Sequence, residues 1–150
     1  MIEILPATEA LAIELAALMT DSDRVDLERL SGTSAADALA HGVRASEYAF
    51  CAVEDGKPLA MGGAIPQGTL LTSSGFVWLV TQPEAMRKPI AFLRHARRQT
   101  AIMRERFLIL RNYERVHETK GLKWLQWLGF TLGAEMVVNG LAVYPMELRA

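Results

Sequence analysis

The sequence predicts an α/β chain on a mixed central sheet, with elements in the order β-αα-βββ-α-β-α-ββ and one domain over residues 1–150. Three observations lead there. Helix-period and strand-period apolar patterns alternate along the chain. The longest apolar runs, such as Phe76-Val77-Trp78-Leu79-Val80, are strand-sized and far short of the ~20 residues that cross a bilayer, so no membrane insertion is expected. No repeat, low-complexity tract or linker interrupts a composition of 51% hydrophobic and 22% charged residues, which is that of a globular protein.

Ile2 to Leu5 reads as a short strand ended by Pro6. Thr8 offers an N-cap, and Leu11, Leu15 and Leu18 recur at i, i+4 and i+7, predicting a helix to about Met19. Asp21 to Leu30 and Ser34 to Val43 are two further helical segments divided by Ser31-Gly32-Thr33, with Ser34 and Asp37 spaced as a capping box. Tyr48 to Val53 and Leu59 to Ile65 are strands joined through an Asp55-Gly56 turn signal. Pro66 to Ser74 reads as a polar loop, and Gly75 to Thr81 as the central strand. After Pro83 a long helix is expected to about Arg106, with Pro89, Phe92, Leu93, Ala96, Thr100 and Met103 on one arc and Arg87, Arg94 and Arg98 opposite. Phe107 to Leu110 is a strand, Thr119 to Leu128 a helix and Phe130 to Val138 a strand; Asn139-Gly140 then turns into a last strand, Leu141 to Met146.

The formal charge of −1 conceals a division of signs. Residues 1–55 carry eleven acids against Arg24, Arg29 and Arg44, whereas residues 84–111 carry eight bases against Glu84 and Glu105. A basic helix suits phosphates, and an acidic lobe suits a cationic amine. The single cysteine, Cys51, lies in an apolar run and reads as a buried small side chain. The N-terminus lacks the charged and apolar regions of a signal peptide, so a cytoplasmic location is expected. His41, His95 and His117 have no metal-ligand spacing, and no metal is expected.

Leu122-Lys123-Trp124-Leu125-Gln126-Trp127-Leu128-Gly129-Phe130 joins an amphipathic helix pattern to strand-like sequence through Gly-Phe. This stretch resembles motif B of the Gcn5-related N-acetyltransferases (GNAT), and the element order is the one that fold uses. Closer still, Lys57 to Gly63, Phe76 to Thr81, the basic helix and Tyr113 to Phe130 together resemble the small GNAT-like internal virion or assembly-associated proteins of short-tailed bacteriophages. The resemblance implies the GNAT fold, acetyl-CoA as coenzyme and a phage or prophage origin. It also implies a place in the host cytoplasm or the virion, and a phage structural or host protein as partner.

GNAT enzymes hold the coenzyme pyrophosphate on a Gln/Arg-x-x-Gly-x-Gly/Ala loop at a helix start, where backbone N–H groups meet the anion. Aligned after Pro83, that loop places Met86, Pro89 and Ala91 at the motif positions, and only Ala91 fits. Pro89 removes a donor. Arg87, Lys88, Ile90 and Ala91 remain as phosphate contacts, or the proline simply opens the helix and the loop binds nothing. Val80 and Thr81 would carry the backbone edge for the pantetheine arm, with the thioester at the splayed strand ends at Val80 and Leu110. The family's Asn and Tyr positions hold Thr119 and Leu125; Thr119 retains a hydrogen-bonding group, but Leu125 has no proton to give. The central strand also lacks a carboxylate for deprotonating an amine. His117 and Glu118 form the best acid/base pair near the expected cleft, against the simpler reading of a solvated helix start.

Two functions follow from these readings. One is a degenerate acyl-CoA-binding or non-catalytic module tied to a virion or its assembly. The other is an active N-acetyltransferase acting on a small-molecule or protein amine. Nucleic acid binding through Arg87, Arg94, Arg97, Arg98 and Arg104 rests on charge alone and is not favoured.

Overall fold

A computed structural model describes residues 1–68 and 73–149. The chain runs β1 (Glu3–Pro6), α1 (Glu9–Leu18), α2 (Asp21–Ser31), α3 (Ala35–Ala45), β2 (Tyr48–Glu54), β3 (Lys57–Gln67) and β4 (Ser74–Thr81). A short 3₁₀ turn at Pro83–Arg87 leads into α4 (Pro89–Arg106), β5 (Ile109–Arg115), α5 (Thr119–Trp127), β6 (Thr131–Leu132), β7 (Met136–Val138) and β8 (Leu141–Arg149). The strands form one sheet in the order β1-β2-β3-β4-β5-β8-β6, with β7 also on β8. Among the described residues only β4 and β5 pair in parallel; every other pair is antiparallel. No helix of the described residues is long and apolar enough to cross a membrane.

Local chemistry sets most element ends. The hydroxyls of Thr8, Thr20 and Ser34 accept from the backbone N–H three residues on, at 3.2, 3.1 and 3.2 Å, and so cap α1, α2 and α3. A carboxylate oxygen of Glu28 on α2 also accepts from the Ala35 N–H at 3.1 Å, tying α3 to its neighbour. Asp55 and Gly56 both take positive φ, 52° and 77°, as a two-residue turn between antiparallel strands requires, and Asn139 and Gly140 repeat this at 49° and 78°.

Four expectations are corrected. The long helix after Pro83 is broken: Lys88 sits at φ −127°, ψ 70°, because a residue before proline is pushed out of the helical region. Pro89 is accordingly an exposed first residue of α4 rather than part of its packed arc. The strand expected at Phe107 to Leu110 lies later, at Ile109–Arg115, where polar residues are held by register with β8 from Ile109↔Arg149 to Arg115↔Val143. The single strand expected over Phe130 to Val138 is two short strands on β8. The expected loop from Pro66 to Ser74 lies partly outside the described residues; Pro66 and Gln67 instead close β3, and Ser74 opens β4.

Each face of the sheet has its own core. On one face α1 and α3 pack Leu15 and Leu39 against Cys51 and Met61, with Trp78 and Val80 of β4 alongside. On the other, α4 and α5 pack over two clusters, one around Met103, Phe107, Leu110, Phe130 and Met146, the other around Phe92 and Ala85 with Met86 and Trp124. Trp78 lies against α3 at Gly42, where an added Cβ would come within 3.0 Å of the ring, and its indole N–H donates to Ser46 Oγ at 2.8 Å.

Candidate functional site

The centre of the sheet is open. β4 and β5 are in register only from Ser74↔Ile109 to Phe76↔Arg111, after which β4 follows β3 while β5 follows β8. The splay therefore starts after Arg111, and Leu110, expected at the open end, is fully buried within the paired segment. Asn112 is the first side chain in the gap, and its amide donates to the Val77 carbonyl. That carbonyl points toward β5. Because backbone groups along a strand alternate between its two edges, the N–H and C=O of Leu79 and Thr81 share Val77's edge, with no strand opposite them.

A cavity of about 610 Å³ passes through this gap. On one side it is walled by Phe92, Leu93, Trp124 and Leu125 of α4 and α5, and on the other by Leu27 and Leu39 of α2 and α3. The Phe92 and Trp124 rings lie 5.3 Å apart and brace α5 against α4.

Charge collects on the α2 side. Arg115 Nη1 donates to Asp23 and to Asp26, each at 2.9 Å, and the guanidinium also lies 3.4 Å from Glu114 and 3.5 Å from Glu118. Asp23, Asp26, Glu114 and Arg115 all line the cavity. Burial opposes the Arg115 charge, but its hydrogen bonds to Asp23 and Asp26 outweigh that and hold the group above its ordinary pKa. Burial also pushes the Glu114 carboxyl above the ordinary carboxylate range, although the Arg115 backbone N–H at 2.9 Å and its guanidinium pull the other way. Four carboxylates thus surround one guanidinium, leaving an acidic chamber at the mouth of an apolar channel.

The residues singled out from sequence fall into three places. Val80 and Thr81 line the cavity, but only Thr81 has its backbone groups on the open edge; those of Val80, expected there, face β3 instead because the edges alternate along the strand. Met86, Arg87, Lys88, Ile90 and Ala91 surround the α4 start: Met86 packs into the small cluster with Ala85 and Phe92, and Arg87 is exposed. Lys88 Nζ pairs with Glu54 at 2.9 Å, Ile90 is 74% exposed and Ala91 is half-buried. No side chain caps α4, and the Ile90 and Ala91 N–H groups have no intrahelical acceptor. Thr119, His117 and Glu118 gather at the α5 start. Thr119 is exposed, His117 Nε2 is 3.4 Å from Asp26, and Glu118 belongs to the Arg115 cluster.

Sequence reasoning passed over Asn112, Glu114, Arg115, Asp23 and Asp26. The i, i+3 spacing of Asp23 and Asp26 on one helix face was a usable signal. Their meeting with Arg115, 92 and 89 residues on, was not. The central strand carries no carboxylate, and Glu114 on the neighbouring strand is a carboxylate that lines the cavity. Among the described residues no three His, Cys, Asp or Glu side chains converge as metal ligands.

No family model matches the sequence, and no curated protein matches it either. Solved structures do. An acetyltransferase of the GNAT family from Streptococcus pneumoniae is 15% identical, with a TM-score of 0.69 over 99% of both chains. The GNAT domain of S. lividans PAT is 14% identical, with a TM-score of 0.71 over 98% of this chain and 89% of that one. Spermidine N-acetyltransferase from Vibrio cholerae, solved in complex with CoA and spermine, is 12% identical, with a TM-score of 0.72 over 99% of this chain and 95% of that one. The chain has the GNAT fold.

Proposed function

We propose that this protein binds an acyl-CoA at the β4–β5 gap and transfers the acyl group to an amine entering from the α2 side. The observation that carries this reading is the unpaired β4 edge opening directly onto the cavity. The N–H and C=O groups of Leu79 and Thr81 suit an extended amide-bearing chain laid alongside as an extra strand. Leu79 N–H is placed to polarise a thioester carbonyl in the gap. The Ile90 and Ala91 N–H groups, with Arg87, suit a phosphate at the α4 start, with one donor fewer because of Pro89. Acyl-CoA supplies the activated thioester. In the transfer, the amine nitrogen bonds to the carbonyl carbon, the C–S bond breaks, and Glu114 takes the proton that the nitrogen sheds. Leu125 offers no proton to the departing thiolate, which takes one from water.

Calorimetric titration with CoA and a thiol-release assay over an amine panel test this reading together. CoA should bind, and Glu114→Gln should lower turnover by about a hundredfold or more while CoA affinity holds. Failure of CoA to bind sinks the reading. The sequence resemblance to phage internal virion and assembly-associated proteins supports a second reading, that the module serves a particle with little turnover; Pro89 and Leu125 at the family's Gly and Tyr positions favour it. CoA binding without thiol release in any amine would select it.

A further inference from the structure

We infer that the acyl group is a chain of about six to ten carbons rather than acetyl, seated in an apolar lobe of the cavity beneath α4. This rests on the acyl-CoA reading and names its donor class. The cavity does not end at the gap: on the α4 side it reaches Met103, Phe130 and Met146, which are 4%, 5% and 7% exposed and belong to the core cluster under the paired part of the sheet. Residues Phe92, Leu93, Ala96, Gln99, Thr100 and Met103 are the α4 contribution to its wall. None is charged, although Arg94, Arg97, Arg98 and Arg104 lie on the same helix, so every arginine is turned away. The two polar side chains in that wall are already engaged. Tyr48 donates its hydroxyl proton to Gln99, and Thr100 donates to the Ala96 carbonyl at 2.8 Å.

A lobe with walls this apolar, in which the Gln99 carbonyl and the Thr100 hydroxyl have partners, takes an apolar guest. Of the charged residues that line the cavity, Asp23, Asp26 and Arg115 meet at α2, and Glu114 sits between Arg115 and Gly121 at the start of α5, so none lies in the α4 wall; that suits the amine and leaves this lobe for the chain. The volume of the whole cavity, both sides of the gap included, bounds the length. A methylene is close in size to a water molecule, whose share of the liquid is ~30 Å³. An acetyl group would thus take roughly a tenth of the cavity's 610 Å³ and an eight-carbon chain roughly two fifths, with the remainder open to the thioester end and the amine.

The full chain, titrated by calorimetry with CoA and with acetyl-, hexanoyl-, octanoyl- and decanoyl-CoA, tests the inference. Affinity should rise from acetyl to octanoyl by up to roughly fourfold per methylene. Ala96→Leu, which fills the lobe, should abolish the gain for octanoyl-CoA while CoA itself binds as before. Thr100→Met should act in the same way, so one misfolded variant does not end the test. If CoA binds but all thioesters bind alike, or the octanoyl gain survives both substitutions, the chain lies elsewhere and the inference is overturned while acyl-CoA binding stands. If neither CoA nor any thioester binds, the acyl-CoA reading falls and takes the inference with it.

Discussion

Glu114 and Arg115 are adjacent on β5 and both pKa values are raised, but for different reasons: burial favours a neutral Glu114, whereas hydrogen bonds to Asp23 and Asp26 favour a charged Arg115. Burial raises the Glu114 pKa, so the native state favours its protonated form more than the unfolded chain does. The stability it contributes is complete below the unfolded carboxylate pKa and is lost as pH rises through the raised native value. Glu114→Gln should therefore be more stable than the parent at pH 8 and lose that advantage below about pH 4, as denaturant melts across pH would register. Arg115→Met leaves Asp23 and Asp26, 33% and 14% exposed, without their guanidinium. A loss of about 2 to 3 kcal/mol is expected once partial exposure is allowed for, shrinking as acid neutralises the carboxylates; an unchanged melt at pH 7 would deny the cluster its structural role. Cys51 was legible from sequence as a small buried residue, and it is fully buried with its thiol pushed up to about 11, chiefly by burial. It should resist a disulfide reagent at pH 8 until the protein unfolds, and prompt labelling of the native state would contradict its burial.

Helix starts show how far local chemistry reaches. Thr8 and Ser34 act as the caps their spacing predicted, since a cap depends on residues three apart. The α4 start is different. Pro89 was visible as a departure from the phosphate loop and by itself breaks the helix at Lys88, but that side chain's diversion to Glu54 depends on β2 lying beside it. Pro89→Gly restores an N–H donor at a helix end and frees Lys88 from the pre-proline restriction. Tighter CoA binding by calorimetry is expected, with a loss of about 0.5 to 1 kcal/mol in stability from the more flexible unfolded chain. Unchanged affinity would place the pyrophosphate away from this loop. In α5, Trp124, Leu125 and Leu128 turn inward while Lys123 and Gln126 are exposed, matching the amphipathic reading, but none is fully buried because the cavity runs beneath them. Trp124→Ala should thus cost about 2 kcal/mol, below the ~3 to 5 typical of a buried tryptophan.

At the scale of the whole molecule, α1 and α3 pack closely on β2 and β3, while the channel at the β4–β5 gap opens the sheet to both faces. A ligand that binds only the folded chain stabilises it by about 2.7 kcal/mol at a hundredfold excess over its Kd. For a chain of this length that corresponds to a rise in Tm of roughly 5 to 10 °C. Such a rise with CoA is the expected outcome, and an unmoved melt at millimolar CoA would leave the channel without its proposed occupant.

Most of the element order, the helix caps, both two-residue turns and the apolar faces were determined by the sequence itself, because each depends on residues within about one helical turn or one strand repeat. What the tertiary structure alone decided depends on partners far apart in the chain. Arg111-Asn112-Tyr113-Glu114-Arg115 has little strand propensity, yet it is a strand because β8 pairs with it along seven positions from Ile109 to Arg115. The same pairing draws β5 away from β4 and so opens the gap, carries Glu114 to the channel and brings Arg115 to α2. No periodicity in a sequence encodes where two parallel strands part, because that point is set by each strand following a different neighbour across the sheet.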